Sequence, residues 1–197
     1  MRGPVLRGGI ARLRPIEARD ADRMWEAAQD PEGLRMTGTT ESFTRSQIDE
    51  WCATIADRPG RYDWAIVPAA KRDGKLISNE MIGEVVLKEI DTHARSANLR
   101  IALASDYRGR GYGRDAIEQV LRYAFDGARD QDGEFDEGPQ LHRVSLDYLA
   151  FNTRAKALYE SMGFVEEGRL RDAHRDGSAY VDVVLMAILE DDYHARR

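Results

Sequence analysis

The sequence predicts one domain of mixed α/β (α+β) class. Strand-like and helical segments follow one another in the order β-α-α-β-β-β-α-β-α-β-β, which is typical of a sheet flanked by helices. A chain of 197 residues, 42% of them hydrophobic, can bury one sizeable core and is short for two. We therefore expect a single domain over residues 1–197, with its core at about 10–193 and an acidic insert at about 126–138.

Composition limits the function. A formal net charge of -6 gives no long-range attraction to nucleic acid or to an anionic membrane, and suits a cationic or amine partner better. The only cysteine, Cys52, excludes an intramolecular disulfide. No apolar run has the length of a signal peptide or a membrane span, so we expect a cytoplasmic protein. The histidines are scattered, which predicts no metal site.

The first elements are a strand and two helices. Residues 10–16 predict a strand, and Asp20 is a suitable N-cap for a helix that ends at Pro31. Thr44 and Gln47 form a capping-box pair for a second helix, which stops at Pro59. Its apolar face carries Ile48, Trp51, Cys52 and Ile55. Cys52 therefore belongs to the core and is not a nucleophile.

Strand patterns then occupy residues 64–67, 81–90 and 97–103, with a turn at Asp73-Gly74, and predict an antiparallel meander. An amphipathic helix follows at about 113–125, then an acidic insert and a strand at 144–149. The insert is either a solvated surface loop or a lip that attracts substrate. Its acidic residues are Asp126, Asp130, Asp132, Glu134, Asp136 and Glu137.

The last third of the chain predicts a short helix and a hairpin. Asn152 caps a helix that runs to Met162, and Gly163 stands where a left-handed cap is needed. Residues 164–169 and 180–189 form the two strands of a hairpin around Asp176-Gly177.

A glycine-rich loop between the strand at 97–103 and the next helix is the main candidate site. Its residues are Arg108, Gly109, Arg110, Gly111, Tyr112 and Gly113. Unpaired backbone N–H groups and the positive end of the helix dipole favour a bound phosphate there. A nucleotide P-loop would end in Gly-Lys-Ser/Thr, and a dinucleotide fingerprint would have glycine in place of Arg114. A single arginine-glycine segment for RNA and a turn without any ligand remain as alternatives.

The loop also belongs to a wider pattern. Residues 98–125, with their Arg-Gly-x-Gly-x-Gly core, and residues 144–164, with Asn152-x-Arg154-Ala155, Tyr159 and Gly163-Phe164, resemble the GCN5-related N-acetyltransferase (GNAT) family. Residues 82–91, 142–144 and 182–186 resemble its RimJ/RimL branch, the ribosomal-protein alanine acetyltransferases. The resemblance spans about residues 10–193.

The resemblance implies a GNAT-like, mostly antiparallel twisted sheet that is splayed between its fourth and fifth strands, at 97–103 and 144–149. Acetyl-CoA would be the co-substrate, without a metal, and the glycine loop would hold its pyrophosphate. The backbone of Ile101, Ala102 and Leu103 would pair with the pantetheine amides. Asn152 and Ala155 would contact the pantetheine region, although Asn152 is equally a plain helix cap.

Transfer of an acetyl group to an amine requires a neutral amine, a donor to the developing oxyanion and an acid for the thiolate. The resemblance implies that Tyr159 is this acid; the alternative is a core tyrosine. Many relatives carry a glutamate where this sequence has Asn98, which cannot accept a proton at neutral pH. Glu84 on the neighbouring strand is the substitute base, unless it is an exposed strand charge.

The acceptor is predicted from acidity. An α-amine has a pKa of about 7.7 to 8.0 and a lysine side chain one of about 10.4, so the α-amine is more often neutral at pH 7. A peptide N-terminus or a small α-amino compound is therefore expected. A polyamine or an aminoglycoside-like drug is the second interpretation, and a non-catalytic acyl-CoA sensor the third. The oligomeric state, including a homodimer, stays open.

Overall fold

The computed structural model describes residues 2–69, 77–129, 133 and 135–196. The turn expected at Asp73-Gly74 and the acidic residues Asp130, Asp132 and Glu134 lie outside them. Within these ranges the strands are β1 (Leu6–Arg7), β2 (Ala11–Pro15), β3 (Tyr62–Pro68), β4 (Gly83–Asp91), β5 (Ser96–Leu103), β6 (Ala128–Arg129), β7 (Phe135–Asp136), β8 (Arg143–Leu149), β9 (Val165–Asp176) and β10 (Ala179–Leu189). The α-helices are α1 (Ala21–Ala27), α2 (Pro31–Thr37), α3 (Arg45–Thr54), α4 (Tyr112–Asp126), α5 (Thr153–Ser161) and α6 (Glu190–Ala195).

The main sheet has eight strands in the order β1-β2-β3-β4-β5-β8-β10-β9. All neighbours are antiparallel except β5 and β8, which run parallel. The short strands β6 and β7 form a separate hairpin within the acidic segment. The mixed, mostly antiparallel class predicted from the sequence is confirmed.

Helices cover both faces of this sheet. The apolar stripe of α4 packs on one face, where Ile117 and Leu121 join a large buried cluster with Trp64, Leu87 and Leu99. A smaller cluster on the other face joins α1 and α3 to the sheet through Ala21, Ile48, Cys52 and Ala65. Because successive strand residues point to opposite faces, Asn98 and Arg100 lie on the face away from α4.

Several local predictions are confirmed in detail. The Thr44–Gln47 capping box is present, with the Thr44 N–H donating to Gln47 Oε1 at 2.8 Å. Asn152 caps α5, and Gly163 has a φ of 87°, the left-handed conformation that a helix end favours in glycine. Strands β3, β4 and β5 form the expected antiparallel meander. Cys52 is 1% exposed, as a core residue should be.

Two features near the N-terminus differ from what the sequence predicted. The helix α1 ends at Ala27, before Pro31, but Pro31 also begins α2, because a proline at the first helical position loses no hydrogen bond. Asp30 caps α2 by accepting from the Glu32 N–H at 3.1 Å. Asp20 stands at the start of α1 but makes no side-chain cap. Its buried carboxylate instead accepts from both terminal nitrogens of Arg14, each at 2.7 Å.

Candidate functional site

The parallel strands β5 and β8 separate along their length. They pair at Ser96–Arg143, Ala97–Val144 and Asn98–Ser145, and no further. Beyond Asn98, β5 continues to Leu103 and β8 continues from Ser145 to Leu149 without pairing to each other. The sheet therefore opens between its central strands, as the splayed arrangement predicted.

A cavity of about 570 Å³ occupies this opening. β5 lines one wall over residues 98–103, and β8 lines the opposite wall with Asp147, Tyr148 and Leu149. Helix α2 and the start of α5 close the remaining sides. Of the residues expected to hold the cofactor, those that line the cavity are Ile101, Ala102, Leu103, Arg108, Gly113, Asn152 and Ala155.

The wall made by β5 presents an open strand edge. One edge of this strand pairs with β4, for example at Glu84–Ala102 and Val85–Ile101. The other edge faces the opening beyond Asn98, where β8 has diverged. Backbone donors and acceptors on such an edge can pair with an extended chain that carries amides, as an added strand would.

The glycine loop begins where β5 ends and leads into α4. Gly109 and Gly111 have φ values of 73° and 92°, a left-handed conformation that glycine adopts without strain. At the start of α4, the backbone N–H of Asp115 donates to Gly111 O at 3.0 Å and so makes the first hydrogen bond of the helix. The preceding N–H groups lie at the positive end of a 15-residue helix. This arrangement suits a bound phosphate.

The Arg108 side chain is already held within the protein. Its Nε donates to Leu103 O at 2.9 Å and its Nη2 donates to Asp30 Oδ2 at 3.1 Å. Its Nη1 lies 3.2 Å from Glu32 Oε1. The guanidinium therefore ties the end of β5 to the first turn of α2, and phosphate contacts in this loop would come chiefly from backbone N–H groups.

Four predicted residues, Gly109, Arg110, Gly111 and Tyr112, do not line the cavity itself. They continue the chain from Arg108, which lines it, to Gly113, which lines it again. The loop thus stands at the edge of the cavity, where the phosphates of a long cofactor would leave the opening.

Asn152 connects two elements that border the cavity. Its Oδ1 accepts from the Ala155 N–H at 3.1 Å, which is the predicted helix cap. Its Nδ2 donates to Met36 O at 3.3 Å and so joins α5 to α2. With both hydrogen bonds formed, the side chain has a positioning role whether or not it also contacts a ligand.

Tyr159 lies in the cavity wall with its ring packed in the core. The residue is 7% exposed, and its ring centroid lies 6.0 Å from that of Tyr148 and 5.9 Å from that of Phe164. Burial, and to a smaller extent the charge of Asp147, raises the pKa of Tyr159 to about 12. The phenol is therefore neutral at physiological pH, and its ring packs in the core. Its role as the acid for the thiolate stays a prediction.

Glu84, the predicted base, is not among the cavity-lining residues. It is half-buried on β4, opposite Ala102. Burial raises the pKa of its carboxyl group, and the nearby Arg100 opposes that shift. Asn98 does line the cavity, so the position where a carboxylate was expected carries an amide. A catalytic role for Glu84 stays a prediction.

Sequence reasoning missed α2 and several polar residues of the site. The signal for α2 was present in Asp30, Pro31 and Gly38, a cap, a first-turn proline and a left-handed terminal glycine. Arg100 and Asp147 also line the cavity. Their strands were predicted, but their position at the opening depends on where β5 and β8 stop pairing, which no local pattern reveals.

The remaining structural observations concern membranes and metals. None of the helices in the described ranges has the length and hydrophobicity needed to cross a bilayer. Across the same residues, no group of three or more histidine, cysteine, aspartate or glutamate side chains is arranged to hold a metal ion.

Comparison with known proteins gives consistent matches. A family model described as an acetyltransferase (GNAT) domain matches residues 11–165. The spermidine N(1)-acetyltransferase of Vibrio cholerae is 35% identical over 113 residues, which are 57% of this chain and only 59% of that protein. A Bacillus subtilis protein named "Putative ribosomal N-acetyltransferase" is 23% identical over 193 residues, 94% of each chain.

Among solved structures, spermidine N-acetyltransferase from Vibrio cholerae in complex with CoA and spermine superposes with a TM-score of 0.77. Its sequence is 26% identical to this one, and the match covers 93% of this chain and 98% of that chain. The fold is therefore shared with a protein whose structure was solved in complex with CoA and spermine.

Proposed function

This chain belongs to the GNAT acetyltransferase family, whose model covers residues 11–165, and we propose that it acetylates the α-amine of a peptide N-terminus or of a small α-amino compound. Membership makes it an acyltransferase that acts on amines, with acetyl-CoA as its co-substrate. The observation that carries the proposal is the cavity between β5 and β8, with an open strand edge, a phosphate-suited loop and a buried tyrosine around it.

The cofactor arm fits the opening as follows. Its amides pair with the free edge of β5 at Ile101, Ala102 and Leu103, and its pyrophosphate meets the N–H groups of the glycine loop. Gly113 supports this path because a Cβ there would lie 3.3 Å from Leu103 Cδ1, so glycine keeps the helix close to the strand. Asn152 and Ala155 border the same path from α5.

The chemistry uses groups that the chain already positions. The amine nitrogen forms a bond to the thioester carbonyl carbon, and a backbone N–H near Ile101 or Leu103 donates to the carbonyl oxygen as negative charge develops there. The C–S bond breaks and the electron pair leaves on sulfur, which Tyr159 protonates, and the proton that the nitrogen loses on becoming an amide restores the phenol through solvent. Burial keeps the phenol of Tyr159 protonated at neutral pH, so its proton is present for donation to sulfur.

The α-amine is proposed because this site has no carboxylate at Asn98. An α-amine is neutral in roughly a tenth or more of molecules at pH 7, whereas a lysine-like amine is neutral in well under about a thousandth. A site with a weak base therefore suits the more acidic amine. The full-length similarity to the Bacillus subtilis protein named for ribosomal N-acetylation supports the same class.

A polyamine is the second candidate acceptor. It is supported by similarity to the Vibrio cholerae spermidine N(1)-acetyltransferase, at 35% identity over 57% of this chain. The net charge of -6 also favours cations at long range. An aminoglycoside-like amine would be attracted for the same reason.

A thiol-release assay with acetyl-CoA tests the proposal. The panel contains N-terminal peptides, free amino acids, spermidine and an aminoglycoside, and each peptide has an α-N-blocked copy as its control. We expect CoA release and a mass increase of one acetyl group with unblocked α-amines. Release that is faster with spermidine than with every α-amine would favour the second candidate, and no release with any amine would contradict both.

A further inference from the structure

Two opposite charges, on Arg100 and Asp147, lie on the two walls of the cavity just beyond the last pair between β5 and β8. We call this part of the cavity its mouth. Asn98 and Ser145 form the last pair between β5 and β8. Arg100 and Asp147 each stand two residues beyond that pair, so both side chains lie on the same face of the sheet as Asn98. Both residues line the cavity and both are exposed.

The splay keeps these charges apart. Arg100 and Asp147, both within the described residues, form no ion pair with each other. The guanidinium of Arg100 donates to Thr39 Oγ1 at 3.0 Å, which directs it toward the loop after α2. The carboxylate of Asp147 has no hydrogen bond or ion pair with any other described residue. Each charge is thus available to a ligand that enters the mouth.

A second cation strengthens the positive side. Lys88 on β4 is directly opposite Asn98, and Val86 is opposite Arg100. Lys88 and Arg100 are therefore diagonal neighbours on one face, with Cα atoms about 7–8 Å apart. Lys88 also lines the cavity and pairs only with the exposed Glu89, at 2.8 Å, among the described residues. A pair of cations on one wall repels a polycation and attracts an acidic group.

Other titratable groups also line the cavity, among them Glu41, Arg154 and His174. Glu84 lies on the same face of the sheet as Arg100 but is not among the cavity-lining residues. Asp147 is the acidic residue that β8 contributes to the opening, and its charge helps to raise the pKa of Tyr159.

We infer that the mouth selects a zwitterionic acceptor, whose amine lies beside Asp147 and whose acidic group, a few bonds away, is held by Arg100 and Lys88. The inference rests on the proposed function and narrows it from α-amines to α-amines with a nearby carboxylate. That carboxylate comes either from an acidic N-terminal side chain of a peptide or from a free amino acid. The carboxylate of a free amino acid raises the pKa of its amine, so that acceptor depends more on Asp147 to take its proton.

The placement also accounts for the proton that the amine must lose. An ammonium group beside Asp147 donates hydrogen bonds to its carboxylate, and releases its proton to that carboxylate or through it to solvent before attack. The neutral nitrogen then forms the C–N bond while the C–S bond breaks and Tyr159 supplies a proton to sulfur. On becoming an amide the nitrogen loses a second proton, which restores the Tyr159 phenol through solvent. The ammonium thus gives up two protons, of which one is released to solvent and one ends on the thiol of CoA.

Two matched acceptor pairs test the inference and separate the sources of the carboxylate. One pair is alanine and alaninamide; the other is a peptide that begins with aspartate and the same peptide beginning with asparagine. We expect wild-type kcat/KM to be at least tenfold higher for the acidic member of one pair, since a hydrogen bond to a charged group contributes about that much.

The variants Arg100→Gln and Lys88→Gln should each reduce the acidic-to-neutral ratio of kcat/KM, and together bring it to about one. Arg169→Gln, an exposed arginine of β9 outside the cavity lining, is the control and should keep the preference. The inference alone would be overturned by any of three results. These are equal kcat/KM for the acidic and neutral members in wild type, a wild-type preference for spermidine, and a preference for the acidic member that survives in the double variant. No turnover of any amine would overturn the proposed function with it.

Discussion

Asp115, in the first turn of α4, accepts a hydrogen bond from the backbone N–H of Ala11 at 2.8 Å. The same carboxylate accepts from the N–H groups of Gly9 at 2.9 Å and Ile10 at 3.0 Å. These bonds fasten the turn between β1 and β2 to the helix that follows the glycine loop. A residue that belongs to no catalytic motif thus joins this turn to the first turn of α4, directly after the glycine loop.

Asp115→Ala should therefore weaken both the fold and cofactor binding. Three backbone N–H groups lose their acceptor, and we expect a loss of about 2 kcal/mol in the free energy of unfolding. The dissociation constant for acetyl-CoA should rise several-fold because the loop is no longer anchored. Urea unfolding and calorimetry measure the two effects, with Glu118→Ala one turn later as the control. Unchanged values for Asp115→Ala would remove this residue from the support of the loop.

Gly111→Val should raise the acetyl-CoA dissociation constant at least tenfold. The φ of 92° at this position is strained for a branched side chain, and a Cβ would lie 3.2 Å from Ile10 Cδ1. The matched control is Gly168→Val on β9, where a Cβ would meet no atom within 4 Å. If calorimetry finds the same affinity in a folded Gly111→Val protein, the loop does not bind the cofactor.

Cys52→Ala should leave kcat largely unchanged. The thiol is buried on α3, and burial raises its pKa to about 12, so almost none is thiolate at neutral pH. Direct attack by the amine requires no acyl-cysteine. Mass spectrometry of the protein after brief exposure to acetyl-CoA checks this, and an acetyl group on Cys52 that disappears when amine is added would establish a covalent relay instead.

The pH dependence of kcat/KM should follow the acceptor and not Tyr159. With an α-amine acceptor the rate rises to a plateau above about pH 8, as the amine loses its proton. No descending limb should appear before pH 10, because the pKa of Tyr159 is raised to about 12. A fall below pH 9.5 that vanishes in Tyr159→Phe would contradict the raised pKa, and a rise that continues to pH 10 would favour a polyamine.

The same pKa has a consequence for stability. An unfolded tyrosine ionises near pH 10, below the value for folded Tyr159. The folded state therefore binds its proton more tightly, and the stability contributed by the buried phenol is fully present below pH 10 and lost as the pH rises toward 12. Tyr159→Phe should show a smaller loss of stability than wild type over that interval in urea unfolding at fixed pH values.

Local patterns predicted most of the fold. The capping box at Thr44, the cap at Asn152 and the left-handed Gly163 are set by neighbours within a few residues, and each is present. The proline at position 31 was expected only to end a helix; α1 does end before it, but Asp30 and Pro31 also begin α2. Asp20 was expected to cap a helix, but burial beside Arg14 gives its carboxylate a stronger partner.

The residues of the candidate active site could be predicted only where a sequence motif contains them. The glycine loop, the β5 edge and Tyr159 could be named from the sequence together with the family resemblance. Arg100 and Asp147 belong to strands 40 and more residues apart, and their opposition depends on the point where β5 and β8 stop pairing. Such tertiary geometry leaves no periodic signal in a single sequence.

The central claim is that acetyl transfer takes place in the opening between β5 and β8, with Tyr159 as the proton donor to the departing thiolate. The most direct test is kcat for wild type and Tyr159→Phe on one acceptor at saturating acetyl-CoA, with Tyr148→Phe as the neighbouring control. We predict that Tyr159→Phe keeps its ring packing and binds acetyl-CoA within a few fold, while kcat falls by about 10² to 10⁴, and that Tyr148→Phe stays within about threefold of wild type. A wild-type to Tyr159→Phe ratio below about threefold would contradict the assignment, because a general acid contributes more than that.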